Sequence, residues 1–301
     1  MVLTKETIAE WLKQLQDTIC QDLEQADGKG KFEEDLWERP GGGGGRTRLI
    51  QDGNVLQKGG VNFSAVYGKT PPAILQALKL DEADFFATGV SIVMHPHNPH
   101  VPIIHMNVRY FEMSNGIWWF GGGIDLTPHY VVKEQAQWFH QQLYNTCSKH
   151  NSAYYPKFKK WADDYFYIKH RQETRGIGGI FYDRLSQQEG SKEELFSFMQ
   201  DVGNTFAPTY THLMALNQNK SFTQIEKEWQ HLRRGRYVEF NLVWDKGTKF
   251  GLDTDGRTES ILMSLPPQAN WAYMHQPEAG SKEAATLSLL KKDIDWLNIG
   301  R

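Results

Sequence analysis

The sequence predicts an α+β fold: a large, mainly antiparallel β-sheet flanked by helices, in a single domain over residues 1–301. Three observations predict it. Between Arg46 and Asp125, segments rich in β-branched and aromatic residues are separated by turn residues. From residue 131 onward the apolar period lengthens to that of helices. Strand-like segments then return at Arg236–Trp244, Lys249–Leu252 and Ser260–Leu265. A chain of 301 residues, 40% hydrophobic and 23% charged, can bury a sizeable core. Nothing in its net charge of -3 suggests general nucleic-acid binding, which calls for a strongly basic face, and no apolar run approaches the ~18–20 residues of a membrane span. Two cysteines, Cys20 and Cys147, cannot form a disulfide framework. Met1–Val2–Leu3 runs into Thr4–Lys5–Glu6 with no signal-peptide core. Both features point to a reducing compartment, the cytoplasm.

In chain order, residues 4–24 read as an amphipathic helix capped by Thr4 or Thr7, with Ile8, Trp11, Leu12, Leu15 and Ile19 at helical spacing. Five glycines follow Arg39–Pro40, which reads as a mobile loop, either a lid over a ligand or a plain connection. Strands are expected at 46–51, 61–67, 85–95, 101–111 and 116–125. Turns are expected at Pro96–His100 and at Asn115–Gly116. Helices follow at 131–149, 156–170, 191–216, 222–234 and 281–292. Gly68–Lys69–Thr70 imitates the end of a P-loop, but Phe63 stands where its first glycine belongs and Pro71–Pro72 blocks the helix. Gly176–Ile177–Gly178 lacks the third glycine of a dinucleotide fingerprint, since position 181 is Phe181.

The central strands carry a polar stripe. Alternation puts Gly89, Ser91, Val93 and His95 on one face of their strand, and His105, Asn107, Arg109 and Phe111 on one face of the next. A hairpin about residue 100 would set His95 opposite His105. On the third strand, Gly121–Gly122–Gly123 removes bulk just before Asp125, as where a ligand approaches closely. The bland alternative is a solvated sheet face. His140 and His170 read either as core histidines bonded to backbone carbonyls or, with His95 and His105, as a four-histidine metal site.

Several long strings then resemble one family. They are Pro40–Arg46, Ala87–Thr88–Gly89–Val90–Ser91, His105–Met106–Asn107–Val108–Arg109, Trp118–Pro128, Arg175–Phe181 and Arg236–Val243. Together they resemble oxygen-dependent coproporphyrinogen III oxidase over nearly the whole chain. The resemblance implies a homodimeric α+β enzyme with a deep cleft and no organic cofactor. It implies that O2 is consumed while two propionates of coproporphyrinogen III become vinyl groups, giving protoporphyrinogen IX, CO2 and H2O2. It implies substrate-binding roles for Ser91, Asn107, Val108, Arg109, Asp255, Gly256 and Arg257. His105 matches a proton donor, and Asp125 with Arg109 a catalytic pair. His95, His105, His140 and His170 match positions proposed as ligands for a divalent metal, in a family also described as needing none. The stretch from about Tyr237 to Trp271 matches one linked to dimerisation. The family string Gly-Gly-Arg reads here as Asp255–Gly256–Arg257.

The implied chemistry suits these residues. A substrate with four propionates is a polyanion, and arginine meets a carboxylate with two hydrogen bonds. Arg48, Arg109, Arg175 and Arg257 are the candidates; Trp118, Trp119, Phe120 and Phe181 are candidate apolar walls. Asp125 is expected to face the cleft, accept hydrogen bonds from pyrrole N–H groups and act as general base. A histidine-metal oxygenase and a porphyrin carrier without chemistry are the competing readings.

Overall fold

Thr4 accepts a hydrogen bond from the Thr7 amide and opens α1 (Lys5–Asp27), which ends at the left-handed Gly28. The computed structural model describes residues 3–70, 75, 83–253 and 256–300. Seven strands form one antiparallel sheet. In spatial order they are β1 (Glu33–Glu38), β2 (Gly43–Gln51), β3 (Leu56–Lys69), β4 (Asp84–Pro96), β5 (Ile103–Met113), β6 (Trp118–Thr127) and β9 (Gly179–Leu185). A small hairpin, β7 (Tyr167–Ile168) and β8 (Glu173–Thr174), stands apart. The further α-helices that lie wholly among the described residues are α2 (Lys133–Ser148), α3 (Tyr154–Tyr165), α4 (Lys192–Asn217), α5 (Gln224–Glu239), α6 (Lys246–Asp253), α7 (Thr258–Leu262) and α8 (Lys282–Leu289). A π turn, Phe240–Trp244, continues α5.

Alternation along the strands gives the sheet two unlike faces. One presents Val61, Val90, Ile92, Ile104, Met106, Val108, Tyr110, Phe120, Ile124 and Tyr182 to a core completed by Leu12, Leu15 and Ile19 of α1, Phe139 and Leu143 of α2, and Phe198, Val202 and Phe206 of α4. The other face carries the polar stripe. Residues 260–265 lie across it: Ser260 bonds Thr47 and Asn62, the Ser264 carbonyl meets His95, and the Leu265 carbonyl meets Lys58.

Four sequence expectations fail. The glycines at 43–45 are not a loop. They lie in β2, all three paired with β3, and Gly44 and Gly45 with β1 as well. Glycine is needed there because a Cβ at Gly43 would fall 2.2 Å from the Ala65 carbonyl, and one at Gly45 would strike the Trp37 ring at 2.3 Å. Arg236–Trp244 is not a strand. A capping box of Thr223 and Glu226 starts α5, which runs through Glu239 into the π turn. Lys249–Leu252 lies within α6, and most of Ser260–Leu265 in α7 and the turn after it. Trp229, Arg233, Tyr237 and Phe240 are buried at helical spacing, so the helix expected at 222–234 runs on, while the alternation of Val238, Phe240, Leu242 and Trp244 imitates a strand. β1 and β9 were not expected from sequence at all.

The end of α1 is fixed by Asp27. Its Oδ1 accepts from the amides of Gly30 (2.7 Å) and Asn54 (2.9 Å), and its Oδ2 from those of Val55 and Leu56 (2.8 Å each). Burial opposes the charge, but these amides outweigh it and hold the carboxyl below its usual range. A folded pKa below the unfolded value of ~3.9 means the stabilisation is full above that value and disappears as pH falls through the folded pKa. Asp27→Asn is therefore expected to cost ~3 kcal/mol at pH 7 and much less at pH 3. Denaturant unfolding at the two pH values checks this.

Candidate active site

The stripe assembles on one face of β4, β5 and β6. Ser91 lies opposite Asn107, Gly89 opposite Arg109, and His105, Asn107 and Arg109 opposite Asp125, Gly123 and Gly121. Directly opposed residues share a face. The hairpin is offset from the expected register, so Val93, not His95, faces His105. The glycines leave no room for side chains: a Cβ at Gly121 would fall 2.9 Å from Arg109 Nε. Val108 is fully buried on the opposite face, so its side chain belongs to the helix-packed core. Trp119 stacks on Phe111 at 4.1 Å at one end of the stripe. Phe181 stacks on Tyr165 at 4.2 Å, whereas Phe120 is in the core and Trp118 packs against it.

At the other end lies a chain of charge-assisted hydrogen bonds. Asp125, 2% exposed, accepts at Oδ1 from His105 Nδ1 (2.7 Å) and at Oδ2 from Arg175 Nη2 (2.6 Å). Arg175 is buried too. Its Nη1 donates to Asn241 Oδ1 at 3.0 Å, and its guanidinium lies 4.4 Å, 4.6 Å and 4.7 Å from the ring centroids of Phe166, Tyr237 and Phe240. Burial alone would raise the Asp125 pKa. Arg175 and the His105 hydrogen bond overcome that and hold the carboxyl below its ordinary range. An ionised carboxylate only accepts, so His105 carries its proton on Nδ1 and directs Nε2 away from Asp125. His105 is partly exposed, and Nε2 has no partner among the described residues. Asp125 thus does not face an open cleft, as the sequence suggested. It grips His105 and is gripped by Arg175.

Arg109 is the accessible cation of the stripe, 37% exposed, donating to Asn107 Oδ1 (2.7 Å) and to Asp183 Oδ1 (2.8 Å). Two other arginine candidates are committed elsewhere: Arg175 to Asp125, and Arg48 to Asp17 and Glu34. Arg257 bonds Asp35 on β1 and lies 5.9 Å from the Trp37 ring centroid. Four strand spacings separate β1 from β5, roughly 19 Å. The Gly256 amide donates to the Gly251 carbonyl at 2.8 Å. Asp255 lies outside the described residues.

The four histidines do not fit a metal. His140 donates from Nε2 to the Ile177 carbonyl (3.0 Å) and accepts at Nδ1 from the Tyr155 hydroxyl (3.0 Å). His170 donates from Nε2 to Glu239 (2.7 Å) and accepts at Nδ1 from Trp244 Nε1 (2.9 Å). Neither ring has a lone pair left. His95 donates to the Ser264 carbonyl at 2.8 Å, which leaves only its Nδ1. Among the described residues no three His, Cys, Asp or Glu side chains converge as a metal site. His140 is the core histidine that sequence allowed as an alternative; burial pushes its pKa down to about 3. His140→Ala is expected to cost ~3 kcal/mol of stability, from the cavity and two stranded polar groups, with turnover per folded molecule within about twofold of the parent. Thermal unfolding beside active-fraction kinetics checks it.

Sequence reasoning missed Asp183 and Asn241, and kept Arg175 only as a candidate for a substrate carboxylate, whereas it holds Asp125. Asp183 lies on the unexpected β9, and Asn241 lies in the π turn read as a strand. Arg175–Gly176 did mark a special place: a Cβ at Gly176 would fall 2.2 Å from the Leu126 carbonyl, so glycine lets this segment press against β6.

Comparison with known proteins agrees. The family model described as coproporphyrinogen III oxidase matches residues 7–296. The chain is 49% identical over 300 residues to the oxygen-dependent coproporphyrinogen-III oxidase of Drosophila melanogaster, covering 95% of this chain and 76% of that protein. It is 48% identical over 301 residues to the chloroplastic coproporphyrinogen-III oxidase 1 of Arabidopsis thaliana, covering 95% and 78%. A chloroplastic oxygen-dependent relative in Glycine max is likewise 48% identical, over 301 residues.

Proposed function

The chain belongs to the oxygen-dependent coproporphyrinogen III oxidase family, and from that premise we propose that the sheet face bearing His105, Asn107, Arg109 and Asp125 is where it acts. The activity is the oxygen-dependent oxidation of coproporphyrinogen III in porphyrin and haem biosynthesis, with O2 as co-substrate. In the finer reading, each of two propionates loses CO2 from its end and a hydride equivalent from the carbon next to the ring. The resulting vinyl group keeps the remaining two carbons. The hydride and a proton reduce O2 to H2O2, which balances the step.

The observation that carries this reading is the Arg175–Asp125–His105 chain, which ends on the same face as Arg109 and beside a strip of glycines. Arg109 meets a propionate with a planar fork. Asn107 holds that fork at 2.7 Å. Having no side chain, Gly121 lets Arg109 and Asp183 lie close over β6, where they face the flexible macrocycle. Ser91, opposite Asn107, faces the same space. Arg257 suits a second carboxylate near the far edge of the sheet. His105 moves a proton at Nε2; Asp125 fixes its tautomer and supports the imidazolium that forms. Arg175 keeps Asp125 ionised in an environment that would otherwise neutralise it.

The dimer is proposed to use the stretch from Tyr237 to Trp271. Leu242, Val243, Leu252 and Trp271 are exposed there, so apolar surface supports the reading although the strand first expected is a helix. No described helix is long and apolar enough to cross a membrane. The two free, buried cysteines support a reducing compartment such as the cytoplasm; the Arabidopsis and Glycine max relatives are chloroplastic by name.

Product chromatography with coproporphyrinogen III, with and without O2, tests the function. Protoporphyrinogen IX and H2O2 are expected only with O2, in chelator-treated enzyme as in untreated. Equal turnover without O2 contradicts the reading, and so does binding with no product, which is the behaviour of a carrier.

A further inference from the structure

The carboxylates around the site fall into two kinds. Asp125 is buried with both oxygens engaged. Asp245 accepts from the Tyr165 hydroxyl and from the Thr248 amide and hydroxyl, at 2.7 Å each. Asp183 differs. Its side chain is 32% exposed, Arg109 Nη2 holds it at Oδ1 alone (2.8 Å), and Oδ2 has no donor among the described residues. It leans across the bare backbone of β6: a Cβ at Gly121 would fall 2.6 Å from its Oδ1. So beside the glycine strip stands an acceptor that is oriented by a cation and has an oxygen to spare.

A reduced tetrapyrrole presents N–H donors at its centre and no acceptors there. Each N–H buried without a partner costs ~1–3 kcal/mol. The face that receives it therefore needs an accessible acceptor set inward from the arginine that holds a propionate. Resting on coproporphyrinogen III as substrate, we propose that Asp183 accepts the pyrrole N–H hydrogen bonds, the role that sequence reading gave to Asp125. Arg109 then has two tasks, to aim Asp183 and to meet a propionate with its remaining N–H groups.

The test compares unaltered enzyme and Asp183→Asn on coproporphyrinogen III and on its N-methylated derivative. Asp183→Asn is expected to lower kcat/KM for the natural substrate ~10²-fold. Its melting temperature should stay within ~2 °C, because the Arg109 pair is partly exposed. N-methylation should harm the unaltered enzyme at least ~10-fold more than the variant, since the variant's one amide oxygen stays with Arg109 and its NH2 turns a donor, not an acceptor, toward the pyrrole N–H groups. The crowding by the methyl group is common to both and cancels. An equal methylation penalty in the two enzymes overturns the proposal and leaves Asp183 only as the group that positions Arg109. So does unchanged kcat/KM in Asp183→Asn. No turnover by the unaltered chain overturns the family activity itself, and the proposal with it.

Discussion

Arg175→Met is expected to be among the most destabilising single substitutions in this chain, at ~3–5 kcal/mol, or a fall of roughly 6–10 °C in Tm for a protein of this size. The side chain is 3% exposed and is the only cation within hydrogen-bond reach of Asp125 Oδ2 among the described residues. Removing it leaves a carboxylate 2% exposed with His105 as sole partner. Three aromatic faces also lose the guanidinium they enclose. Asp125 escapes part of this cost by taking up a proton, which disables its grip on His105. Activity should therefore fall with stability. Arg175→Lys keeps the charge and loses the fork that reaches Asp125 and Asn241 together, so it should lie between. Differential scanning calorimetry of the three proteins is the check; an Arg175→Met protein that melts with the parent contradicts it.

Asp125→Asn is the second. It keeps the shape and removes the charge between His105 and Arg175. The amide cannot accept from both partners as the carboxylate does, so His105 loses its fixed tautomer or Arg175 loses its counter-charge. We expect kcat to drop at least ~10²-fold, the scale of losing general acid–base function. KM should change little, because Arg109 and Asn107 do not touch Asp125. A change confined to KM in steady-state kinetics would show that Asp125 binds substrate rather than supporting the proton step.

The sheet from β2 to β6 was legible because its outer halves obey simple alternation and its turns carry Pro96–His100 and Asn115–Gly116. The stripe of Ser91, His105, Asn107, Arg109 and Asp125 was legible for the same reason. A one-residue shift of the hairpin centre moved His95 off His105 but kept every residue on its face, because side chains alternate with period two. What escaped depended on long-range partners. Gly43 to Gly45 looked mobile until two neighbouring strands supplied the backbones that exclude a side chain. Arg233 and Arg234 are buried because Glu173 and the Pro96 carbonyl receive them, partners that no spacing in the sequence reveals. His140 and His170 stayed open between core histidines and ligands, because the Ile177, Tyr155, Glu239 and Trp244 groups that occupy their nitrogens lie far away in sequence. Asp125 was rightly singled out by the glycines before it, but its buried partner Arg175, 50 residues on, cannot be found by spacing.

The most direct test of the Arg175–Asp125–His105 account is an oxygen pulse on enzyme loaded anaerobically with coproporphyrinogen III, unaltered against Asp125→Asn, with product followed by chromatography. Equal substrate retention is expected in both proteins before the pulse, then prompt protoporphyrinogen IX and H2O2 from the unaltered enzyme, and product at least ~10²-fold slower from the variant. Product from Asp125→Asn at the rate of the unaltered enzyme would contradict it.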